Sequence, residues 1–281
     1  MSTIAITATD VNKLRTMTGA GMMDCKKALT EAEGDFEAAI DILRKKGQKV
    51  SAARADNQTA EGIVFIELNK ENTQGILVAF ACETEPVSKV ENFRTLGQSI
   101  MDQAVAKKPA TTEALLALPL ADGRSINDHI VDLTGKIGEK IIIQNYEVIS
   151  ADQVVSYVHS NNKLGVLVGF KGNGGKDISE VGKDVAMQIA AMKPVAVDKA
   201  DVDPRTVERE IEIGKEQARA EGKAEAMLEK IALGKLNKFY KDSTLLNQEF
   251  VKDNSKTIAQ LLDGVVKGLT VTEFKRIAIG Q

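Results

Sequence analysis

A pattern of two extended hydrophobic segments followed by an amphipathic helix occurs twice along this chain. In each copy a short polar stretch separates the two extended segments, which predicts a β-hairpin, and a proline follows the helix. The predicted segments of the first copy are 63–68, 75–82 and 88–107, and those of the second are 154–159, 165–171 and 177–192. The core is therefore predicted to be an α+β fold, a duplicated unit of antiparallel strands with packed helices.

The two copies differ in the length of one connection. Their second strands read GILVAF from Gly75 and GVLVGF from Gly165, which places equivalent strand residues 90 positions apart. Equivalent helix residues, such as Gly97 and Gly182, are 85 positions apart, so the first copy carries five additional residues within 82–97. The shorter connection of the second copy is sufficient to pack the helix on its strands, so we expect the longer connection to carry function.

Three short helices are predicted before the repeat. The first spans 10–17 with Thr9 as its N-cap, the second spans 22–32, and the third begins after the N-cap Asp35. Met22 and Met23 start the second helix. Their flexible thioethers suit an adaptable contact with another protein. However, apolar side chains are usually interior, so the pattern alone favours a place for both in the core of this small unit.

A charged helical hairpin interrupts the second copy. Apolar stripes on both sides of Gly222 predict two antiparallel helices over 206–240, and the chain then returns to the core with a helix at 257–266 and a strand at 269–279. The hairpin either packs on itself or forms a homodimer contact. The predicted organisation is a three-helix head (1–47), a linker (48–61), a first core subdomain (62–149) and a second core subdomain (150–281) with an inserted hairpin (204–240).

Composition predicts a cytoplasmic protein whose partners are proteins. Of 281 residues, 43% are hydrophobic and 27% charged, and the longest apolar run, 76–82, is far too short to cross a membrane. The amino terminus lacks the pattern of an export signal. A net charge of −3 and an aromatic content of 4% argue against a broad nucleic-acid surface.

No motif predicts catalysis, a metal or a cofactor. Cys25, Cys82 and the two histidines, His129 and His159, do not have the spacing of a zinc site, and both thiols are expected to be reduced. The glycine-rich segment 172–176 differs from a phosphate-binding loop, because Asp177 stands where that loop needs serine or threonine. We interpret this segment as a flexible strand-to-helix connection and the protein as not an enzyme.

The string LRTMTGAGMMDCKKAL, from Leu14 to Leu29, resembles the amino-terminal module of the bacterial elongation factor Ts family. These proteins are guanine-nucleotide exchange factors for elongation factor Tu. The likeness extends over the whole chain, and the longer connection coincides with a second family signature, which reads ACETEPVSK from Ala81 to Lys89. The three-helix head is also similar to ubiquitin-associated folds.

The resemblance implies a translation elongation factor. It would bind elongation factor Tu with GDP, promote GDP release by disturbing the magnesium and phosphate site, and stabilise the nucleotide-free complex until GTP binds. By this likeness, the head docks through Arg15, Met22 and Met23, the magnesium-dislocation loop consists of Thr84, Glu85, Pro86 and Val87, and the second subdomain contacts the partner around His159.

The chain departs from the family at the most functional part of this loop. Glu85 keeps a carboxylate where the family has aspartate, but Pro86 replaces phenylalanine and so removes an aromatic wedge and one backbone donor. The resemblance supports docking more strongly than full exchange activity. The alternative is an interaction adaptor that binds its partner through the ubiquitin-associated-like head without changing nucleotide affinity.

Overall fold

Helices and antiparallel strands follow one another in the α+β arrangement that the sequence predicts. The computed structural model describes residues 6–281. The helices are α1 (Ala8–Thr18), α2 (Met22–Glu31), α3 (Phe36–Ala53), α4 (Glu85–Ser88), α5 (Glu91–Lys107), α6 (Thr112–Leu116), α7 (Ile126–Ile137), α8 (Ser179–Met192), α9 (Pro204–Ala220), α10 (Leu228–Ser243) and α11 (Ile258–Val265). The strands are β1 (Glu61–Leu68), β2 (Gln74–Cys82), β3 (Ile141–Ser150), β4 (Gln153–Val158), β5 (Leu164–Lys171), β6 (Glu249–Phe250), β7 (Asp253–Thr257) and β8 (Thr270–Ala278). Within residues 6–281, none of the helices has the length and apolar character that crossing a membrane requires.

The head consists of α1, α2 and the first part of α3. The predicted N-cap of α1 is wrong: Thr7, and not Thr9, caps this helix. The Thr7 hydroxyl accepts a hydrogen bond from the Asp10 N–H at 3.1 Å, and the Asp10 carboxylate accepts one from the Thr7 N–H at 3.1 Å. This reciprocal pair needs an acidic residue three positions after the cap, and Thr9 is followed there by Asn12. Asp35 caps α3 as predicted.

Helix α3 continues to Ala53, so the segment predicted as a linker begins inside a helix. Lysine, glutamine and alanine after Gly47 are good helix formers, which explains the extension. Gly47 is tolerated because α3 crosses α7 there: a Cβ atom on Gly135 would lie 2.6 Å from the Gly47 Cα atom. The head is thus held against the first subdomain by a close crossing of two helices.

Each copy of the repeat builds one three-stranded antiparallel sheet. The strand orders are β1-β2-β3 and β4-β5-β8. The sequence pattern predicted β8 but missed β3, its equivalent in the first sheet. Both sheets have an irregularity in register at the same point, after Ala79 in one and after Gly169 in the other.

The two sheets pack face to face with approximate twofold symmetry. The Val64 N–H donates to the Asn162 carbonyl at 2.7 Å, and the equivalent Val154 N–H donates to the Asn72 carbonyl at 2.6 Å. Glycines make room for the opposite sheet: a Cβ on Gly75 would lie 2.8 Å from Leu167, and one on Gly165 would lie 3.3 Å from Leu77. Because each contact recurs with its partners exchanged, the duplication seen in the sequence is also a structural symmetry.

Helices α5 and α8 cover the outer faces of the two sheets at equivalent glycines. A Cβ on Gly97 would lie 2.6 Å from the Phe65 ring, and one on Gly182 would lie 2.5 Å from Val155. Side chains at these positions would push each helix off its sheet. Each helix then ends at a lysine with a left-handed φ of 48°, Lys108 in α5 and Lys193 in α8.

Helices α9 and α10 form the predicted hairpin. They approach closely where Gly214 faces Ala232, since a Cβ on the glycine would lie 3.1 Å from the alanine Cα atom. The two ends of the hairpin are adjacent: the Val195 N–H donates to the Ser243 carbonyl at 2.8 Å, and the Leu245 N–H donates to the Ala196 carbonyl at 3.0 Å. The hairpin is therefore an insertion that leaves the sheet of the second copy intact.

Candidate functional site

The turn between α1 and α2 presents three methionines to solvent. Met17, Met22 and Met23 are 57%, 52% and 65% exposed, and we call them the methionine turn. The inward face of α2 is formed instead by Cys25, Ala28 and Leu29. The prediction that Met22 and Met23 lie in the core of the head is therefore wrong. Both residues belong to the first turn of α2, which extends beyond that core.

Exposed cations lie within four residues of these methionines along the chain. Arg15, which the resemblance places at the docking surface, is exposed in the last turn of α1. Lys26 and Lys27 are exposed on the next helix. A flexible apolar patch bordered by positive charge suits a protein surface that carries both apolar and acidic groups.

The longer connection of the first copy is folded as the single helical turn α4. Thr84, Glu85 and Pro86 are exposed, whereas Val87 is only 7% exposed and packs into the cluster formed by Cys82 and Phe93. Pro86 is compatible with the first turn of a helix, where no N–H is needed for an intrahelical bond. Of the four residues of the predicted loop, Val87 therefore anchors the turn, and the other three face solvent.

The carboxylate of Glu85 is paired along the turn. It lies 2.7 Å from the Lys89 ammonium, and the hydrogen bond and charge of Lys89 lower the pKa of Glu85. A smaller contribution to this lowering comes from the charge of Lys163 in the β4–β5 turn. Glu85 is consequently ionised at neutral pH.

His159 lies in that β4–β5 turn and is exposed. Its Nδ1 atom is 2.8 Å from the Tyr157 hydroxyl. Four residues later, Lys163 pairs with Glu61 at 2.8 Å, at the start of β1. The turn that contains His159 thus faces the same edge of the core as the α4 turn.

A charged network holds the base of the α4 turn. The Glu83 carboxylate accepts hydrogen bonds from Arg54 Nη1 at 2.9 Å to each oxygen and from Asn57 Nδ2 at 2.9 Å, and it also accepts the Lys140 N–H. Burial by itself raises the pKa of Glu83, but these hydrogen bonds outweigh it and lower the pKa below its usual value. Ionised Glu83 therefore stabilises the fold at neutral pH, and this contribution is lost as the pH falls through the lowered pKa.

Sequence reasoning did not identify this network. Arg54 and Lys140 are 29 and 57 positions away from Glu83, and neither belongs to a motif. The adjoining Thr84 is fixed in the same way by a distant partner, because its hydroxyl donates to Glu139 at 2.6 Å. The available signal was that Glu83 opens the longer connection.

His129 and the glycine-rich segment 172–176 make structural contacts. His129 lies 2.9 Å from Asp122, within an ionic cluster that includes Arg124. The segment 172–176 connects β5 to α8, and the Asp177 carboxylate accepts the Ser179 N–H at 2.9 Å, where a phosphate-binding loop would hold phosphate. In the described part of the chain, no three side chains of histidine, cysteine, aspartate or glutamate come together as metal ligands.

Relatives of known family cover both the methionine turn and the α4 turn. The family described as Elongation factor TS matches residues 83–281, from the base of the α4 turn to the last residue. A protein of Cytophaga hutchinsonii named elongation factor Ts is 74% identical over 279 residues, covering 99% of this chain and 100% of that protein. Proteins of the same name from Amoebophilus asiaticus and Flavobacterium psychrophilum are 52% and 46% identical, cover 99% and 98% of this chain, and are themselves covered over 100% and 99% of their length. The chain therefore belongs to the elongation factor Ts family of translation elongation factors.

Proposed function

We propose that this protein binds elongation factor Tu in the cytoplasm and promotes the release of its GDP. The observation that carries the proposal is the α4 turn, which exposes Thr84, Glu85 and Pro86 on a base held by buried Val87 and by the ion pair between Glu83 and Arg54. The second copy of the repeat has no such helix between β5 and α8. An exposed but rigid turn found in one copy is suited to acting on a partner, since its geometry is set before binding.

The head and the turn have different tasks in this proposal. The methionine turn and Arg15 dock the head, and the residues Thr84 to Pro86 disturb the magnesium and phosphate site of the partner. The turn containing His159 contacts a further part of the same partner. Linkage then determines the outcome: a factor that binds nucleotide-free elongation factor Tu more tightly weakens GDP binding by the same ratio.

Because Pro86 replaces the phenylalanine of the family, the partner's magnesium site is disturbed in this proposal by charge and not by an aromatic side chain. Without the aromatic ring of the family, the turn offers the partner a compact proline ring and the negative charge of Glu85. A carboxylate near a bound magnesium ion competes electrostatically for its coordination and needs no wedge. We therefore assign the larger part of the displacement in this protein to Glu85.

The alternative is an adaptor, which the exposed methionine turn would also serve. An adaptor binds elongation factor Tu equally well with and without GDP and leaves the release rate unchanged. The two functions are separated by the nucleotide dependence of binding, because equal affinity for both states shifts no equilibrium.

The test is the release of a fluorescent GDP analogue from purified elongation factor Tu, followed by stopped flow over a range of factor concentrations. We expect substoichiometric amounts of the protein to accelerate release, and the maximal rate to saturate with concentration. Titration calorimetry should show tighter binding to nucleotide-free than to GDP-bound partner. Binding without acceleration, at equal affinity for both states, would support the adaptor and refute the exchange factor.

A further inference from the structure

Glu83 joins three segments that are distant in sequence. It follows β2 directly, its side chain is 16% exposed, and both its oxygens accept from Arg54. Asn57 and the Lys140 backbone supply the other donors. A carboxylate with this number of partners has a fixed orientation, since charge-assisted hydrogen bonds are about twice as strong as neutral ones.

The partners of Glu83 belong to the connection between head and core. Arg54 is the residue that ends α3, and Asn57 lies in the segment between α3 and β1. Lys140 precedes β3, and its ammonium donates to the carbonyls of Ala55 and Asn57. We call residues 54–57, 83–84 and 139–140 together the clasp. The clasp therefore ties the exit from the head to the base of the α4 turn.

Thr84 adds a second contact to the same segment before β3. Its N–H donates to Glu139 at 3.0 Å, and its hydroxyl donates to the same carboxylate at 2.6 Å. The first exposed residue of the turn is thus held by its backbone and its side chain. The orientation of the turn depends on both carboxylates of the clasp, Glu83 and Glu139.

The second copy of the repeat shows that the core fold does not need this clasp. The position equivalent to Glu83 is Asn173, and its amide makes a neutral contact with Gln153 at 3.2 Å. The strands have the same register irregularity in the two copies, and the covering helices approach their sheets at the equivalent glycines Gly97 and Gly182. The charged clasp is therefore present only where the connection is longer and the head is attached.

We propose that Glu83 is a positioning residue that holds the head and the α4 turn in one fixed geometry, so that docking of the head delivers the turn to the nucleotide site of the partner. This assignment rests on the exchange function proposed above. Glu83 acts through Thr84 and the turn and touches no nucleotide. Its loss leaves docking intact but lets the turn miss its target, and a misplacement of about 1 Å is enough to slow a reaction severely.

The test compares Glu83→Gln and Glu83→Ala with Asn173→Ala, the matched variant in the second copy. GDP release from elongation factor Tu gives the maximal rate and the half-saturating concentration. We expect both Glu83 variants to lower the maximal rate, the alanine variant by about tenfold, with the half-saturating concentration changed less than about twofold. Asn173→Ala should leave both quantities unchanged.

Hydrogen–deuterium exchange of the free proteins measures how strongly the backbone of the turn is held. We expect Glu83→Ala to increase deuterium uptake in peptides covering 83–90, while peptides covering 76–81 in β2 stay protected. A merely structural role would instead lower the thermal midpoint and leave the release rate per folded molecule unchanged. If the alanine variant does not fold, the glutamine variant decides, because it keeps the size and one accepting oxygen of Glu83.

Several results would overturn the assignment. These are an unchanged maximal rate in folded Glu83 variants, a change confined to the half-saturating concentration, and unchanged deuterium uptake over 83–90. If the wild-type protein itself fails to accelerate release, the proposed function is refuted. Hydrogen–deuterium exchange then still tests the clasp. If peptides covering the α4 turn stay protected in Glu83→Ala, the proposal that Glu83 holds the turn is refuted as well.

Discussion

Replacing Met22 and Met23 together by alanine should weaken binding of elongation factor Tu without weakening the fold. The two side chains are 52% and 65% exposed in the free protein, and the head core is built from Leu14, Cys25 and Leu29 instead. Substitutions at exposed positions usually change the free energy of unfolding by less than about 0.5 kcal/mol. Urea unfolding of the double variant should therefore match that of the wild type within this limit.

The loss of binding energy follows from the exposed fractions. Full burial of a methionine side chain contributes about 1.5–3 kcal/mol, and roughly half of each side chain remains to be buried by a partner. Since alanine keeps part of that contact, the pair should contribute about 1–3 kcal/mol to binding. The dissociation constant for nucleotide-free elongation factor Tu should then rise about fivefold to 150-fold.

The assay is calorimetric titration of nucleotide-free elongation factor Tu, with Met192→Ala as the control. Met192 lies at the end of α8 and is 45% exposed, so its replacement removes a similar side chain from another surface. An unaltered dissociation constant in the folded double variant would refute the docking role of the methionine turn. A fall of more than about 1 kcal/mol in the free energy of unfolding would show that the two methionines stabilise the head itself.

Three further predictions concern the turn, the head crossing and the buried thiol. If an aromatic wedge contributes to displacement, Pro86→Phe should raise the maximal rate of GDP release. Glu85→Gln should lower that rate, most strongly at high magnesium, where the partner's magnesium site stays occupied unless it is disturbed. If neither variant changes the rate, the α4 turn is not the acting element. Gly135→Ala should lower the free energy of unfolding in urea by about 1–3 kcal/mol, because its Cβ would lie 2.6 Å from the Gly47 Cα atom. Gly47→Ala should lower it less, since the nearest atom to its Cβ would be 3.0 Å away. Equal losses in the two variants would contradict this packing. Burial, together with the charges of Glu139 and Glu61, raises the pKa of Cys82 to about 12. At pH 8 iodoacetamide should therefore leave Cys82 unmodified in the folded protein and modify it after unfolding, as measured by mass spectrometry. Rapid labelling of the folded protein would show that this thiol is accessible.

Local patterns were sufficient where each element carries its own signal. The duplicated strand pairs, their helices and the inserted hairpin were all predicted from hydrophobic periodicity and from the turn residues between elements. Strand β3 was missed because the inserted hairpin separates its equivalent, β8, from the other strands of the second copy. The offset between β3 and β8 therefore differs from the constant offset that revealed the other repeated strands. The N-cap of α1 was misplaced because two threonines two positions apart compete, and only Thr7 has an acidic partner three residues later.

By itself, the sequence determined the α+β class, the duplication and the family, because these depend on the order and identity of residues along the chain. Only the tertiary structure decided how the candidate site is presented. It showed that Met22 and Met23 are outside the head core and that Val87 is buried in the cluster with Cys82 and Phe93. It also showed that Glu83 joins the base of the α4 turn to the end of α3. Exposure at the end of a helix, and contacts between residues 29 and 57 positions apart, depend on how whole elements pack against one another, and no local periodicity records that packing.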